Sequence, residues 1–202
     1  MKIGIAGVGG IGSNVALNLV RSGIVQLKLV DFDRVESGNL NRQFYFSDQI
    51  GLFKVEALKI NLSRINPKVE IEALIERIDA KNCAKLFLDC DLIVEGFDRQ
   101  VDKKMLIETF ADKKGVVSAC GIAGSDLAAI GSRRIGNCYI VGDFTTDCDQ
   151  APLFSHKVTT VANHMSELIL CQPGVLHDNT LSSFLLTTKI TKETKHKICA
   201  DN

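Results

Sequence analysis

A glycine-rich turn, Gly7-Val8-Gly9-Gly10-Ile11-Gly12, lies between two segments of different periodicity and restricts this chain more than any other feature. Residues 1–6 read as a buried strand through Ile3 and Ile5, and residues 11–22 carry Val15, Leu17, Leu19 and Val20 at helical spacing. A strand that turns directly into a helix opens a βα unit. In that setting Gly7 permits the tight turn, Gly9 and Gly10 let the backbone approach a phosphate, and Gly12 lets the helix pack on the strand. The helix N-terminus then presents unpaired N–H groups to an anion. A second strand, residues 27–30, ends in Asp31, about 20 residues after Gly12, where a carboxylate can accept hydrogen bonds from ribose hydroxyls.

The alternation continues. Residues 55–65 place Val55, Leu58, Leu62 and Ile65 on one helical stripe, which stops at Asn66-Pro67 because proline disfavours a helical predecessor. Residues 69–74 alternate as a strand, 80–88 form a short helix, and 91–95 a buried strand that delivers Gly96-Phe97-Asp98 to the sheet edge. A helix over 101–110 and a strand over 116–119 follow. Past Gly121 the rhythm changes: residues 127–131 and 138–144 read as an antiparallel hairpin with a Gly136-Asn137 turn. A polar loop over 143–155, a helix over 157–170 and one further strand over 184–190 complete the pattern. With 46% apolar residues in 202, the chain can bury a substantial core. The expected fold is α/β: a Rossmann-like, mainly parallel sheet with helices on both faces, extended by antiparallel strands in the C-terminal third. A single domain is expected, with a core over 1–123 and an extension of hairpin, loop and helix over 124–202.

The glycines and Asp31 alone suit a nicotinamide dehydrogenase equally well. The second βα connection argues otherwise, because Asn39, Arg42 and Gln43, with Lys54 shortly after, suit a more highly charged β/γ-phosphate. The bland alternative is a solvated turn, since Asn, Ser and Gly are ordinary loop residues. Lys plus Arg and Asp plus Glu each number 24, so no global charge points to nucleic acid or an anionic membrane. No apolar run approaches the roughly 18 residues of a membrane span, and a cytoplasmic protein is expected. The seven cysteines, Cys83, Cys90, Cys120, Cys138, Cys148, Cys171 and Cys199, include no Cys-x-x-Cys pair, so neither a disulfide framework nor structural zinc is expected. Most read as small buried apolar residues.

Several spaced motifs together carry a family resemblance: Gly7-x-Gly9-Gly10-x-Gly12-Ser13, Asp31-x-Asp33-x-Val35, Ser37-x-Asn39-Leu40-Asn41-Arg42-Gln43, Gly51-Leu52-Phe53-Lys54-Val55-Glu56, and Arg64-Ile65-Asn66-Pro67. The chain resembles the ThiF/MoeB/HesA adenylyltransferases, bacterial relatives of ubiquitin-activating enzymes, densely from residue 3 to about residue 123 and loosely beyond, and most of all the short ThiF type. The resemblance implies an ATP- and magnesium-dependent enzyme, commonly homodimeric, that adenylates the C-terminal Gly-Gly carboxylate of a ubiquitin-like sulfur carrier such as ThiS. The sulfur would then pass to the thiazole of thiamin or to a related cofactor. By motif position Asp31 and Asp33 would serve the ribose side, Asn39, Arg42 and Gln43 the phosphates, and Lys54 the reacting phosphates. Asp98 would hold Mg2+, although a strand-end carboxylate can equally cap the following helix.

Cys148 falls roughly where some relatives place a thiol that bonds to the carrier, but the neighbouring Asp147 and Asp149 favour an inert thiol. Relatives often carry an N-terminal helix that sends an arginine into the partner's ATP site. The chain starts at its first strand, so either another cation, Arg99 or Arg133, takes that place or activity is reduced; Arg133 and Arg134 read more readily as solvated turn residues. Three alternatives stay open: activation of another carboxylate or a tRNA base, an NAD-dependent oxidoreductase, and a nucleotide-binding scaffold without catalysis.

Overall fold

Parallel pairing of β1 (Ile3–Ala6) with β2 (Gln26–Val30) on one side and β4 (Leu92–Glu95) on the other sets the architecture. The computed structural model describes residues 1–146, 148–149, 151–172 and 175. Its seven-stranded sheet has the order β3-β2-β1-β4-β5-β7-β6, with β3 at Glu70–Leu74, β5 at Gly115–Ala119, β6 at Gly131–Ile135 and β7 at Cys138–Gly142. Strand order reverses between β1 and β4, and at such a switch point the loops leaving two adjacent strands part and leave a crevice at their carboxyl ends.

Both faces of the sheet are covered, so the central strands are apolar throughout rather than alternating. Ile3 and Ile5 face helices α1 (Gly10–Arg21), α2 (Lys54–Ile65) and α5 (Ser155–Leu170). Ala6, Ile93 and Val116 face α3 (Cys83–Leu86) and α4 (Gln100–Phe110). The residue opposite Ile3 and Ile5 is Gly4, and Phe87 lies so close that a Cβ there would meet its ring at 2.5 Å. The Gly4 gap is therefore filled by a large ring from the α3 side.

The α/β alternation stands as read, with the hairpin shifted. The first hairpin strand begins at Gly131 instead of spanning 127–131. Residues 126–130 are consumed by a local turn, in which the Asp126 carboxylate accepts the Ala128 N–H and the Leu127 carbonyl accepts the Ile130 N–H. The two-residue Gly136-Asn137 connection, with Gly136 at φ 58°, pairs Ile135 with Cys138 and fixes the register back to Gly131. β7 runs parallel to β5, so among the described residues β6 alone runs against the sheet. The helix expected over 80–88 is limited to Cys83–Leu86. The strand expected over 184–190 lies outside the described residues.

Gly12 is where helix and strand touch: a Cβ there would stand 1.9 Å from the Gly7 carbonyl oxygen. Gly131, in contrast, has nothing within 4 Å of a built Cβ. Gly12→Ala is expected to cost about 2 kcal/mol or more, a fall in Tm of roughly 4–8 °C, whereas Gly131→Ala leaves the melt unchanged or slightly higher. Thermal unfolding of the two variants beside the parent checks both.

Candidate functional site at the switch point

The crevice between the β1 and β4 ends is a cleft of about 710 Å³. Its floor is the glycine turn. Gly7 takes φ 84° and donates its N–H to the Val30 carbonyl at 2.9 Å, which sends the chain sharply into α1. Gly9 and Gly10 line the cleft beside the free N–H groups of the helix start. Gly12 does not line it; its role is the packing contact with Gly7.

The turn is tied down by side chains that the sequence reading did not single out. Tyr45 Oη donates to the Val8 carbonyl at 2.7 Å, and Asn14 Nδ2 donates to the Gly10 and Arg42 carbonyls at 2.6 and 2.9 Å. Ser13 Oγ donates to the Gly9 carbonyl at 2.6 Å and accepts the Phe44 N–H at 3.1 Å. These bonds fasten the segment carrying Arg42 and Gln43 directly onto the phosphate-type loop. Ser13 is a visible part of the glycine motif; Tyr45 gives no signal without the fold, because a lone Tyr in a loop has many uses. Burial pushes the Tyr45 hydroxyl well above its ordinary value, with Asp31 and Asp33 adding to the effect, so it stays a neutral donor.

Asp31 lines the cleft and also holds the turn. Its Oδ2 accepts the Val8 N–H at 2.8 Å and its Oδ1 the Asp33 N–H at 2.8 Å, leaving one lone pair on each oxygen. Burial raises its pKa, against the opposing pull of the two amides. Lys54, the first residue of α2, is buried and its Nζ contacts Asp33 Oδ2 at 2.8 Å. Asn39 Oδ1 accepts the Glu36 N–H, and Arg42 Nη1 donates to the Gly38 carbonyl and to Asn41 Oδ1. Gln43 lines the cleft, and its Oε1 is buried without a hydrogen-bond partner in the protein. Asp98 and Arg99 line the opposite wall, both exposed, with Arg99 Nε 3.6 Å from Asp102. Arg133 is outside the cleft lining, 4.0 Å over the Phe144 ring.

Two buried charges near the cleft also went unread. Glu95, the last residue of β4, is fully buried. Lys157 lies one helical turn before Val161 on the buried stripe of α5; its Nζ donates to Asp143 Oδ2 at 2.6 Å and to the Ala123 carbonyl at 2.5 Å. A lysine on an apolar stripe was the available signal, since a buried charge requires a partner. Burial by itself would raise the Asp143 carboxyl, but hydrogen bonds from Lys157, Thr146 and Thr145 overcome it and hold the group well below the ordinary carboxylate range.

Cys148 is exposed and lines the cleft together with the exposed Cys120. Cys83, Cys90 and Cys138 are buried, and burial pushes each thiol up to about 11. The expectation that most cysteines are buried therefore holds for three of the six described, with Cys171 exposed as well. Cys199 lies outside the described residues.

The profile of the ThiF family matches residues 1–169. Ubiquitin-like modifier-activating enzyme 5 of Branchiostoma floridae is 39% identical over 126 residues, covering 60% of this chain and 31% of that protein. The chain thus spans less than a third of such relatives. Among solved structures, Escherichia coli tRNA N6-threonylcarbamoyladenosine dehydratase, TcdA, in complex with AMP, has a TM-score of 0.72 at 21% identity, covering 83% of this chain and 85% of that one. E. coli MccB with AMPCPP and MccA has a TM-score of 0.64 at 20% identity, covering 82% and 53%.

Asp143 has a native pKa below its unfolded value of about 3.9. Its contribution to stability is full above that value and is lost as pH falls through the lower native pKa. Asp143→Asn is expected to cost about 3–5 kcal/mol at pH 7 by stranding Lys157. Relative to the parent, the variant should also lose less stability between pH 4 and more acid solution. Urea unfolding across pH 7 to 2.5 measures both.

Proposed function

The chain belongs to the ThiF family, and from that premise we propose that it is an ATP-dependent adenylyltransferase that activates the C-terminal Gly-Gly carboxylate of a small ubiquitin-like sulfur carrier, ThiS-like and serving thiamin thiazole formation. One observation carries the reading: a helix N-terminus, Arg42, Lys54 and Asp98 converge on a single cleft at the β1/β4 switch point. A dinucleotide would need the helix N-terminus but not the two cations beyond it. The similarity to a ubiquitin-like modifier-activating enzyme supports a protein carboxylate as the second substrate.

In this reading the glycine turn and α1 take the phosphates, and the Asp31 side of the cleft takes the ribose. Arg42 has a guanidinium fork for phosphate oxygens, with Asn39 and Gln43 beside it. Lys54 shares its charge between Asp33 and the triphosphate, so the cation is held in place before the nucleotide arrives. The carrier carboxylate is already ionised and needs no base. Its oxygen attacks the α-phosphorus, the bond to the bridging oxygen breaks, and pyrophosphate leaves with the electron pair. The protein's contribution is alignment and charge stabilisation.

Among the described residues no three His, Cys, Asp or Glu side chains cluster to hold a metal. An ion arriving on the triphosphate needs only one or two carboxylates, which the exposed Asp98 fits. Mg2+ held there would neutralise charge on the phosphates. A homodimer in the cytoplasm belongs to the same reading. A second reading keeps the nucleotide chemistry and changes the acceptor. It is favoured by the diversity of similar folds, which include a tRNA-modifying dehydratase and MccB.

The test is pyrophosphate exchange into ATP with Mg2+, with and without proteins ending in Gly-Gly. Carrier-dependent exchange is expected, with a loss of about 100-fold or more in Asp98→Ala and in Lys54→Ala. ATP binding without exchange for any such protein would remove the sulfur-carrier reading and favour a scaffold or another acceptor.

A further inference from the structure

Glu95 has four hydrogen-bond contacts from three groups, and together they bracket Asp98. Its Oε1 accepts the Phe97 N–H at 2.6 Å, and Lys103 Nζ stands 3.0 Å from both carboxylate oxygens. Ser118 Oγ, from β5, donates to Oε2 at 2.6 Å. Lys103 also donates to the Ala119 carbonyl at 3.2 Å, next to Cys120 on the cleft wall. The segment that begins at Phe97 and ends one turn into α4 at Lys103 is therefore attached at both ends to one buried carboxylate, and Asp98 lies between the attachments. Gly96 adds a third constraint: its backbone is pressed on the glycine turn, so that a Cβ would stand 2.6 Å from the Gly7 carbonyl.

Stability alone gives little reason for this arrangement, because a well-packed apolar replacement for a buried ion pair is often neutral or better. What the charged network adds is direction: each bond specifies where one atom of the turn stands. We propose that Glu95 is a positioning residue, which, with Lys103 and Ser118, sets the place of Asp98 relative to the phosphate-binding turn. The proposal rests on the adenylyltransferase reading for its catalytic consequence but not for its structural one.

Glu95→Gln preserves the volume and removes the charge. Backbone amide exchange at residues 97–99 is expected to speed up about tenfold or more, with β1 and α1 as protected as in the parent. In pyrophosphate exchange, kcat should fall about 10- to 100-fold while KM for ATP stays within about twofold, the signature of misplacement. In an Asp98→Ala background, adding Glu95→Gln should then cost less than about twofold, because the two act through one route. Ser118→Ala removes a single donor and should give a smaller effect of the same pattern if Glu95→Gln does not fold. Multiplicative losses in the double variant, a rise in KM with kcat unchanged, or unaltered amide exchange at 97–99 would overturn the proposal. Absence of exchange activity in the parent is failure of the functional reading instead, and amide exchange then decides the positioning role alone.

Discussion

The cleft exists because three glycines let β1, α1 and the turn after β4 meet backbone to backbone. Gly12 lies against the Gly7 carbonyl, and Gly96 lies against the same carbonyl and the Gly12 nitrogen. A methyl group at either position would separate the helix start from the β4 turn, and atoms packed at interior density have no slack to absorb that displacement. The close approach puts the start of α1 and Asp98, a carboxylate almost 90 residues later in the turn after β4, on one cleft. The switch in strand order supplies the space above, and the glycines determine how its walls meet.

Charge is distributed around this junction in a consistent way. Lys54 pairs with Asp33, Lys103 with Glu95 and Lys157 with Asp143, while the buried Asp31 is held by two backbone N–H groups instead. The opposite edge of the sheet shows what the same device does without a cleft. There Lys2 and Lys28 contact Glu72 and Asp89 at 2.5–3.3 Å, joining β1, β2 and β3 to the start of β4. Hydrogen bonds from Lys2 and Lys28 hold Asp89 below the ordinary carboxylate range. Those groups satisfy one another and do not line the switch-point cleft. At the carboxyl edge, Lys54 pairs with a carboxylate that is half exposed and lines the cleft, and under the proposed function its charge would serve the incoming triphosphate. Preorganised charge of this kind stabilises a developing anion without reorganisation during the reaction.

The residues that line the cleft were largely legible because they are local in sequence. A glycine turn between a strand and a helix, a carboxylate at the next strand end and a polar cluster in the next connection are short-range patterns, and all of Gly7, Gly9, Gly10, Asp31, Asp33, Asn39, Arg42, Gln43, Lys54 and Asp98 line one cleft. The residues that hold those groups in place were not legible. Tyr45 meets Val8, Lys103 meets Glu95 and Ser118, and Lys157 meets Asp143 and Ala123 only after the chain has folded. The hairpin register was misread for a related reason: residues 127–131 have the composition of a strand, but turn hydrogen bonds at Asp126 and Leu127 claim their backbone first.

By itself the sequence determined the alternation of strand and helix, the coverage of the sheet on both faces and the identity of most of the polar groups that line the cleft, because periodicity and short motifs act over a few residues. Tertiary structure alone decided the lateral order of the strands, the parallel docking of β7 on β5 and the pairing of the buried charges. Those features depend on contacts between residues far apart in the chain, and a carboxylate or a lysine gives no indication of its partner until packing has removed the water that would otherwise satisfy it.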